Sequence, residues 1–303
     1  MLKTLLSFDY TAHERFVAPA REKSEVWRLV LGLCLVVAIV WIGGPLIWEL
    51  LSYGLSEEDY LALANDFTTL VLPQSVLLLL YSFGLVWLAV ATVTLTMHKR
   101  RPETLLGSPT IAWMQAKFVF VALLLLMLAL LVLPPYQSDP PLIRGLEFGH
   151  WLALLTPALI ALFIQTSAEE VLFRGYMQQQ LAARFNSPQV WMLIPSALFG
   201  LAHYAPGSYG GNAWLVVIWA GVFGLIAADL TARSGTLGPA IALHFVTNIS
   251  ALLLIAPQGE MSGLALYQYP FSAADEAELR AMLPFDFAIM LVCWLAARLA
   301  LRR

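Results

Sequence analysis

The chain contains, at residues 152–174, the segment LALLTPALIALFIQTSAEEVLFR. Its first part is an apolar run, and a helix that crosses a membrane needs about 20 predominantly apolar residues. Two adjacent carboxylates, Glu169 and Glu170, follow where the apolar run ends. An ionisable group within or beside a membrane helix costs at least a few kcal/mol, so these two residues are functional candidates.

Similar apolar runs recur from about residue 27 to the C-terminus. The chain has 303 residues, of which 60% are hydrophobic and 12% charged, and its mean hydropathy is +0.75. About eight runs are long enough, at roughly 20 residues each, to cross the hydrocarbon core. They are centred near Cys34, Val86, Leu124, Leu159, Ser196, Val222, Val246 and Cys293. Because the runs lack the period-2 alternation of barrel strands, we predict an all-α polytopic membrane bundle of about eight transmembrane helices, forming one domain over residues 1–303.

Charge between the runs predicts the orientation of the chain. Basic residues precede the first run, fill the connection after the second and end the chain: Arg15, Arg21, Lys23, Arg28, Lys99, Arg100, Arg101, Arg298, Arg302 and Arg303. The connection after the first run is acidic, and so is the connection before the last. By the positive-inside rule we expect both termini to face the cytoplasm. Residues 1–25 do not resemble a cleaved signal peptide, so we expect the first span to be retained.

The two cysteines and three of the five histidines carry no functional prediction. Cys34 and Cys293 lie far apart in apolar runs, so we expect unreactive core thiols without a disulfide. His13, His98 and His150 lie at segment ends, where we expect solvated or interfacial side chains.

The glutamate pair begins the first of three polar motifs with helical i, i+4 spacing. Glu170 and Arg174 are four residues apart and can form an ion pair on one face of a helix. Glu169 is rotated by about 100° from Glu170, which leaves it free to face another helix.

The other two motifs place histidines inside apolar runs. Phe199 precedes His203 by one turn in the fifth run, and His244 precedes Asn248 by one turn in the seventh. Either histidine alone is explained by an interhelical hydrogen bond. Together, a carboxylate, two imidazoles and an amide supply the groups that activate water and stabilise an oxyanion.

Glu-Glu-x-x-x-Arg, Phe-x-x-x-His and His-x-x-x-Asn, in this order on successive membrane segments, resemble the motifs of the CAAX protease and bacteriocin-processing family. These are intramembrane glutamic endopeptidases related to type II CAAX prenyl proteases. The resemblance covers residues from about 150 to 256 and includes Phe173-Arg174-Gly175 and Ala242-Leu243-His244. A weaker resemblance lies at Leu105-Leu106-Gly107 and Trp113.

The resemblance implies a role for each motif residue. Glu169 would be the general base for the attacking water, with His203 helping to hold that water. His244 and Asn248 would stabilise the oxyanion. The supporting residues would be Glu170, Arg174, Phe173 and Phe199.

The resemblance also implies the setting of the reaction. The substrate would be a peptide or membrane-associated protein in a lipid bilayer, with no nucleic acid, no cofactor and no metal. The location would be the bacterial inner membrane. The oligomeric state and the substrate are not predicted.

Four alternatives stay open from the residues. Glu169, His203 and His244 could form a two-histidine, one-carboxylate zinc site, although no His-Glu-x-x-His motif is present. Ser208 could act as a nucleophile, although its Gly-rich surroundings are typical of a turn. The intramembrane Glu and His residues could serve a proton- or ion-coupled transporter. A catalytically silent scaffold or immunity protein of the same fold would carry the same residues.

Two further patterns have structural interpretations. Asp229 and Arg233 are one turn apart and are expected to form an ion pair at a helix end. The small residues Ala220, Gly224 and Ala228 form a stripe that permits tight helix packing.

The depths of the two motif histidines do not match in straight, perpendicular spans. His203 would lie roughly 24 Å along the fifth helix, whereas His244 would lie only about 10 Å along the seventh. Either the fourth helix continues past Glu170 towards Phe185, or the fifth helix is tilted, short or partly outside the core.

Overall fold

A computed structural model describes residues 9–132 and 141–302, and most of these residues are helical. The elements before residue 133 are α1 (Thr11–Val17), a 3₁₀ turn (Ala18–Lys23), α2 (Val26–Gly54), α3 (Glu57–Asp66), α4 (Pro73–Ser82), α5 (Gly84–Thr96), a 3₁₀ turn (Pro102–Leu105) and α6 (Pro109–Val132). Short polar or Pro-containing segments separate several of them. Ser56, for example, caps α3 by accepting a hydrogen bond from the Asp59 backbone N–H at 3.1 Å.

The second half contains the helices that carry the three motifs. Its elements are β1 (Ile143–Arg144), α7 (Phe148–Glu170), π1 (Val171–Gln178), α8 (Gln179–Arg184), π2 (Gln189–Leu193), α9 (Ile194–Leu201), α10 (Pro206–Tyr209), a 3₁₀ turn (Gly210–Asn212), α11 (Ala213–Ser234), α12 (Gly238–Asn248), π3 (Ile249–Leu254), β2 (Ile255–Gln258), β3 (Tyr267–Ser272) and α13 (Glu276–Leu301). Here π1, π2 and π3 are stretches of wider π-helix.

Six helical segments of the described chain are long and apolar enough to cross a membrane. They are Val26–Gly54, Pro73–Thr96, Pro102–Leu130, Phe148–Arg184, Pro206–Ser234 and Glu276–Leu301. Two shorter apolar helices, Gln189–Leu201 and Gly238–Leu254, stand where the fifth and seventh spans are predicted. The protein is therefore a polytopic helical membrane bundle, as the sequence predicts, with six long helices and two short ones where about eight spans are expected.

Both explanations offered for the unequal histidine depths apply. The fourth helix continues through α7, π1 and α8 as one segment of 37 residues, so Glu169 and Glu170 lie in its interior. The fifth helix, π2 with α9, is short. His203 lies in the turn just after this short helix, which ends at Leu201, and not within a helical span as the sequence predicts.

A small sheet at one end of the bundle is the element that the all-α prediction does not include. The strand order is β1-β3-β2, with β1 antiparallel and β2 parallel to β3. The strands join the start of α7, the end of π3 and the start of α13. Gly145 lies so close to the opposing chain that an added Cβ would be 2.3 Å from the Ala265 carbonyl oxygen.

Glycines allow close packing around the motif-bearing helices. A Cβ on Gly200 of α9 would lie 2.5 Å from the Val217 carbonyl oxygen of α11. A Cβ on Gly224 would lie 3.0 Å from Ser196 Cα. The predicted small-residue stripe on α11 thus packs within the bundle, and α9 lies directly against it.

The N-terminal segment of residues 11–23 packs onto the end of the glutamate helix. Gln179 Nε2 donates to the carbonyl oxygens of Phe16 at 2.6 Å and Thr104 at 2.9 Å. His13 is 4% and His98 3% exposed, so the expectation that these two histidines are solvated is wrong. Each is covered by aromatic side chains, with His13 against Trp191 and His98 against Tyr176.

The predicted helix-end ion pair belongs to a larger cluster. Arg233 Nε donates to both carboxylate oxygens of Asp229, at 2.8 and 2.7 Å. Tyr10 donates its hydroxyl hydrogen to Asp229 at 2.8 Å, and Trp294 donates its indole N–H at 2.9 Å. Asp229 therefore joins the N-terminal segment, α11 and α13.

Both cysteines are free, as predicted. Cys293 is buried in α13, but Cys34 is exposed on the outer face of α2, so its expected core position is wrong. A thiol on a lipid-facing side of a membrane helix needs no polar partner, which explains why hydropathy alone does not distinguish the two positions.

Candidate active site

The glutamates lie where the α-helical pattern of the fourth helix changes. Glu170 is the last residue of α7, and π1 begins at Val171. Before this point Thr166 Oγ1 donates to the Leu162 carbonyl oxygen at 2.9 Å, a bond that competes with the helix ladder and bends helices. Trp87 of α5 donates its indole N–H to Ser167 Oγ at 3.0 Å and fixes this part of the helix. Single π-helical turns are frequent at functional sites.

The predicted Glu170–Arg174 ion pair is present and fully buried. Arg174 Nη1 lies 2.9 Å from Glu170 Oε1, and the two side chains are 1% and 0% exposed. A buried pair of this kind is costly to break, because the remaining charge has neither water nor a partner. The pair therefore places the Glu170 carboxylate next to a guanidinium that compensates its charge inside the bundle.

His244 connects the two glutamates. Its Nδ1 lies 2.8 Å from Glu170 Oε1, and its Nε2 lies 3.5 Å from Glu169 Oε2. Because an ionised carboxylate only accepts hydrogen bonds, Nδ1 carries a proton and donates it to Glu170. Nε2 is then the nitrogen that faces Glu169.

Asn248 forms a hydrogen bond with Gln165, a residue that the sequence does not predict to belong to the site. Asn248 Nδ2 donates to Gln165 Oε1 at 3.1 Å. Gln165 is 7% exposed and lies one helical turn before Glu169. An amide four residues before a carboxylate on an apolar helix is the signal that could have identified it.

His203 stands at the edge of this cluster. Its Nδ1 donates to the Phe199 carbonyl oxygen at 2.8 Å, since a carbonyl oxygen only accepts. In the neutral ring the lone pair is then on Nε2. Among the described residues, the Phe199 ring is the link between the histidines, with its centroid 4.7 Å from that of His203 and 6.0 Å from that of His244.

The supporting aromatic residues form the wall around the charged groups. Phe173 packs edge-on against Phe199 at 5.1 Å, and the Arg174 guanidinium lies 4.6 Å from the centre of the Phe199 ring. Phe223 of α11, which the motifs do not include, packs against His244 at 4.9 Å. The structure thus brings Glu169, Glu170, Arg174 and His244 into one contact group.

The metal alternative has a geometric test. Within residues 9–132 and 141–302, no group of three or more His, Cys, Asp or Glu side chains is arranged to hold a metal ion. Ser208, the alternative nucleophile, lies on the short helix α10 in the turn between α9 and α11.

Comparison with known proteins shows what the segment around this cluster is similar to. Residues 150–250 match the model of the type II CAAX prenyl endopeptidase Rce1-like family. The uncharacterized protein YyaK of Bacillus subtilis (strain 168) is 26% identical over 262 residues, which cover 82% of this chain and 84% of YyaK. No solved structure gives a significant match. The segment that contains Gln165, both glutamates, Arg174, both site histidines and Asn248 is thus the part of this membrane protein that is similar to the Rce1-like family.

Proposed function

We propose that the protein is an intramembrane endopeptidase in which Glu169 activates a water molecule to hydrolyse a peptide bond. The observation that carries this proposal is the contact of His244 with both glutamates, at 2.8 Å to Glu170 and 3.5 Å to Glu169. Arg174 compensates the charge of Glu170, which leaves Glu169 and His244 Nε2 as the pair that can exchange a proton. The resemblance implies an oxyanion role for His244; we propose proton transfer in its place, because Nδ1 faces Glu170 and Nε2 faces Glu169.

In the first step Glu169 takes a proton from water while the water oxygen attacks the carbonyl carbon of the scissile bond. The carbonyl oxygen becomes negatively charged in the tetrahedral intermediate. The Nδ2–H group of Asn248 donates a hydrogen bond to it, and His203 Nε2 helps to hold the attacking water. Donors fixed before the reaction are effective because they need no reorganisation when the charge develops.

In the second step the carbon–nitrogen bond breaks and its electron pair goes to the nitrogen. The proton held by Glu169 and His244 Nε2 passes to this nitrogen, which leaves as an amine. The other product is a carboxylic acid. When His244 holds the proton, the ring is an imidazolium whose Nδ1–H is stabilised by Glu170.

The proposed substrate is a peptide or a segment of a membrane-associated protein. The family name makes a prenylated CAAX peptide the first class to test, followed by a bacteriocin leader, a signal-peptide remnant and a membrane-protein segment. We propose that hydrolysis needs no metal. We also propose that the site operates in the bacterial inner membrane, with both termini of the chain in the cytoplasm.

The test is proteolysis of a candidate-peptide library in detergent or liposomes. Wild type is compared with Glu169→Gln, His203→Ala and the control Glu49→Gln, which changes an exposed carboxylate on α2 away from the site. We expect Glu169→Gln to lower kcat by about 100-fold or more, and Glu49→Gln to retain activity.

Three results would contradict the proposal. Cleavage that Glu169→Gln leaves unchanged would remove the general base. Loss of cleavage with a chelator, followed by recovery with zinc, would favour a metal mechanism. Proton or ion flux that depends on Glu169, without cleavage of any peptide, would favour a transporter.

A further inference from the structure

We propose that Gln165 is a positioning residue that holds the side-chain amide of Asn248 in the orientation the reaction needs. This inference rests on the proposed function for the role of Asn248. Its structural part rests on one partly buried hydrogen bond, in which Asn248 Nδ2 donates to Gln165 Oε1 at 3.1 Å.

Two of the contacts between α7 and α12 lie one helical turn apart. Gln165 faces Asn248, and Glu169 faces His244 at 3.5 Å. The partners on each helix are four residues apart, and the order is reversed between the helices, so α7 and α12 run antiparallel here. The pair Glu169–His244 contains the proposed proton-transfer groups, and the pair Gln165–Asn248 contains the amide donor.

The orientation of Asn248 matters because its amide has two chemically opposite ends. The nitrogen carries two hydrogens and the oxygen carries none, so a rotation of about 180° exchanges a donor for an acceptor. An acceptor facing the developing oxyanion would repel it. Gln165 Oε1 takes one hydrogen of Nδ2 and keeps the nitrogen on the side of α7, which leaves the second hydrogen for the oxyanion.

Burial makes this control effective. Gln165 is 7% exposed and Asn248 is partly buried, so water reaches the Gln165 end of this hydrogen bond less easily than the Asn248 end. Replacement by methionine keeps the length and approximate volume of the side chain but removes its acceptor. The expected result is an Asn248 amide that samples both orientations.

The first experiment measures the amide directly and needs no substrate. The chain has four asparagines, Asn65, Asn186, Asn212 and Asn248, so selective labelling of the asparagine side-chain nitrogen with ¹⁵N gives four pairs of amide signals in an NMR spectrum. The signal lost in Asn248→Ala identifies the residue. We expect Gln165→Met to move the Asn248 proton resonance upfield, because a hydrogen bond is lost.

The control is Gln178→Met, which removes another buried amide from the same helical segment. Gln178 Nε2 donates to the Ala228 carbonyl oxygen at 3.2 Å, in π1 beyond the glutamates. We expect this variant to leave the Asn248 signals in place. Unchanged Asn248 signals in Gln165→Met would overturn the inference.

The second experiment is a double-mutant cycle on the cleaved peptide. We expect Gln165→Met to lower kcat by about tenfold with little change in KM, because the lost interaction belongs to the transition state. Combined with Asn248→Ala it should add no further loss, because both changes remove the same donor. A purely additive loss, or an effect on KM alone, would show that Gln165 acts elsewhere. If the wild type cleaves nothing, the proposed function fails, whereas the NMR result still decides whether Gln165 holds the amide.

Discussion

Arg174 and Glu170 form a buried ion pair, so removal of one partner is expected to lower the free energy of unfolding. Arg174→Met leaves the Glu170 carboxylate buried without its guanidinium, and we expect a loss of roughly 3–5 kcal/mol in the free energy of unfolding. The double variant Glu170→Gln/Arg174→Met should be less destabilised, because it leaves no buried charge without a partner. Thermal unfolding in detergent measures both.

The matched control is the exposed pair Arg101–Glu103, whose side chains are 83% and 56% exposed. Arg101→Met should change the stability by no more than about 1 kcal/mol, because water and salt already screen that pair. An Arg174→Met protein as stable as Arg101→Met would mean that the buried pair contributes nothing to the fold.

His13 predicts a dependence of stability on pH. It lies outside the long apolar segments, and burial together with the positive charge of Arg21 lowers the pKa of His13 to about 4. In the unfolded chain a histidine titrates near 6.5, so the unfolded state binds the proton first as the pH falls. Stability is therefore unaffected by this group above pH 6.5 and decreases towards pH 4, by up to about 3 kcal/mol.

The measurement compares unfolding of wild type and His13→Gln from pH 7 to pH 4. Glutamine does not titrate, so the stability of wild type relative to the variant should decrease with falling pH. His150→Gln, at an exposed position, should show no such trend. A constant difference between wild type and His13→Gln would contradict the expected burial of a neutral imidazole.

The sequence predicts contacts between site residues on the same helix but not contacts between site residues on different helices. The Glu170–Arg174 pair follows from helical spacing alone, because both members are on one helix. The contact of His244 with both glutamates joins residues 74 and more positions apart, so local spacing cannot specify it. Gln165 was missed because its partner Asn248 lies on another helix, and because glutamine has no formal charge to draw attention in an apolar run.

Gly238 tests the packing of the element that carries His244 and Asn248. A Cβ at Gly238 would lie 2.0 Å from the Ala112 carbonyl oxygen and 2.7 Å from its carbonyl carbon. These are backbone atoms of α6, so relief requires a shift of one whole helix. We expect Gly238→Ala to lower the stability by about 1–3 kcal/mol or more and to reduce cleavage by displacing α12.

Gly44→Ala is the control for this prediction. Gly44 lies in α2, and an added Cβ there meets nothing within 4 Å. In a helix interior alanine is favoured over glycine by roughly 1 kcal/mol, so this variant should be neutral or more stable. Equal unfolding temperatures for the two variants would show that α6 and α12 are not held at the close distance described here.

Among the secondary-structure elements, the length of an apolar run predicts where a helix lies. It does not predict whether a stretch is α-helical or π-helical. The long runs are present as helices because lipid leaves the backbone no other partner for its hydrogen bonds. The π-helical stretches cannot be read from hydropathy, since they change the number of residues per turn without changing composition. The strands β1, β2 and β3 are 2, 4 and 6 residues long, which is too short for a periodic pattern to emerge from the surrounding apolar sequence.

The orientation of the whole molecule follows from charge and is open to a labelling test. After replacement of Cys34 and Cys293, single cysteines are introduced at the exposed positions Lys99 and Glu260. With both termini in the cytoplasm, a membrane-impermeant maleimide should label Glu260→Cys in intact cells and Lys99→Cys only after permeabilisation. The reverse pattern would place the termini on the outside.

The shortness of two helices also bears on the bilayer around the protein. The segment Gln189–Leu201 extends at most about 20 Å and Gly238–Leu254 about 26 Å, whereas a hydrocarbon core is about 30 Å thick. Leu193, Ile194 and Leu198 of the shorter segment are exposed, so lipids beside it must compress or tilt, and the membrane is expected to be thinner there than beside the long helices. The distance from bulk water to the carboxylates is then shorter on that side. The acyl-chain length of the lipids is therefore expected to affect how easily water reaches the carboxylates.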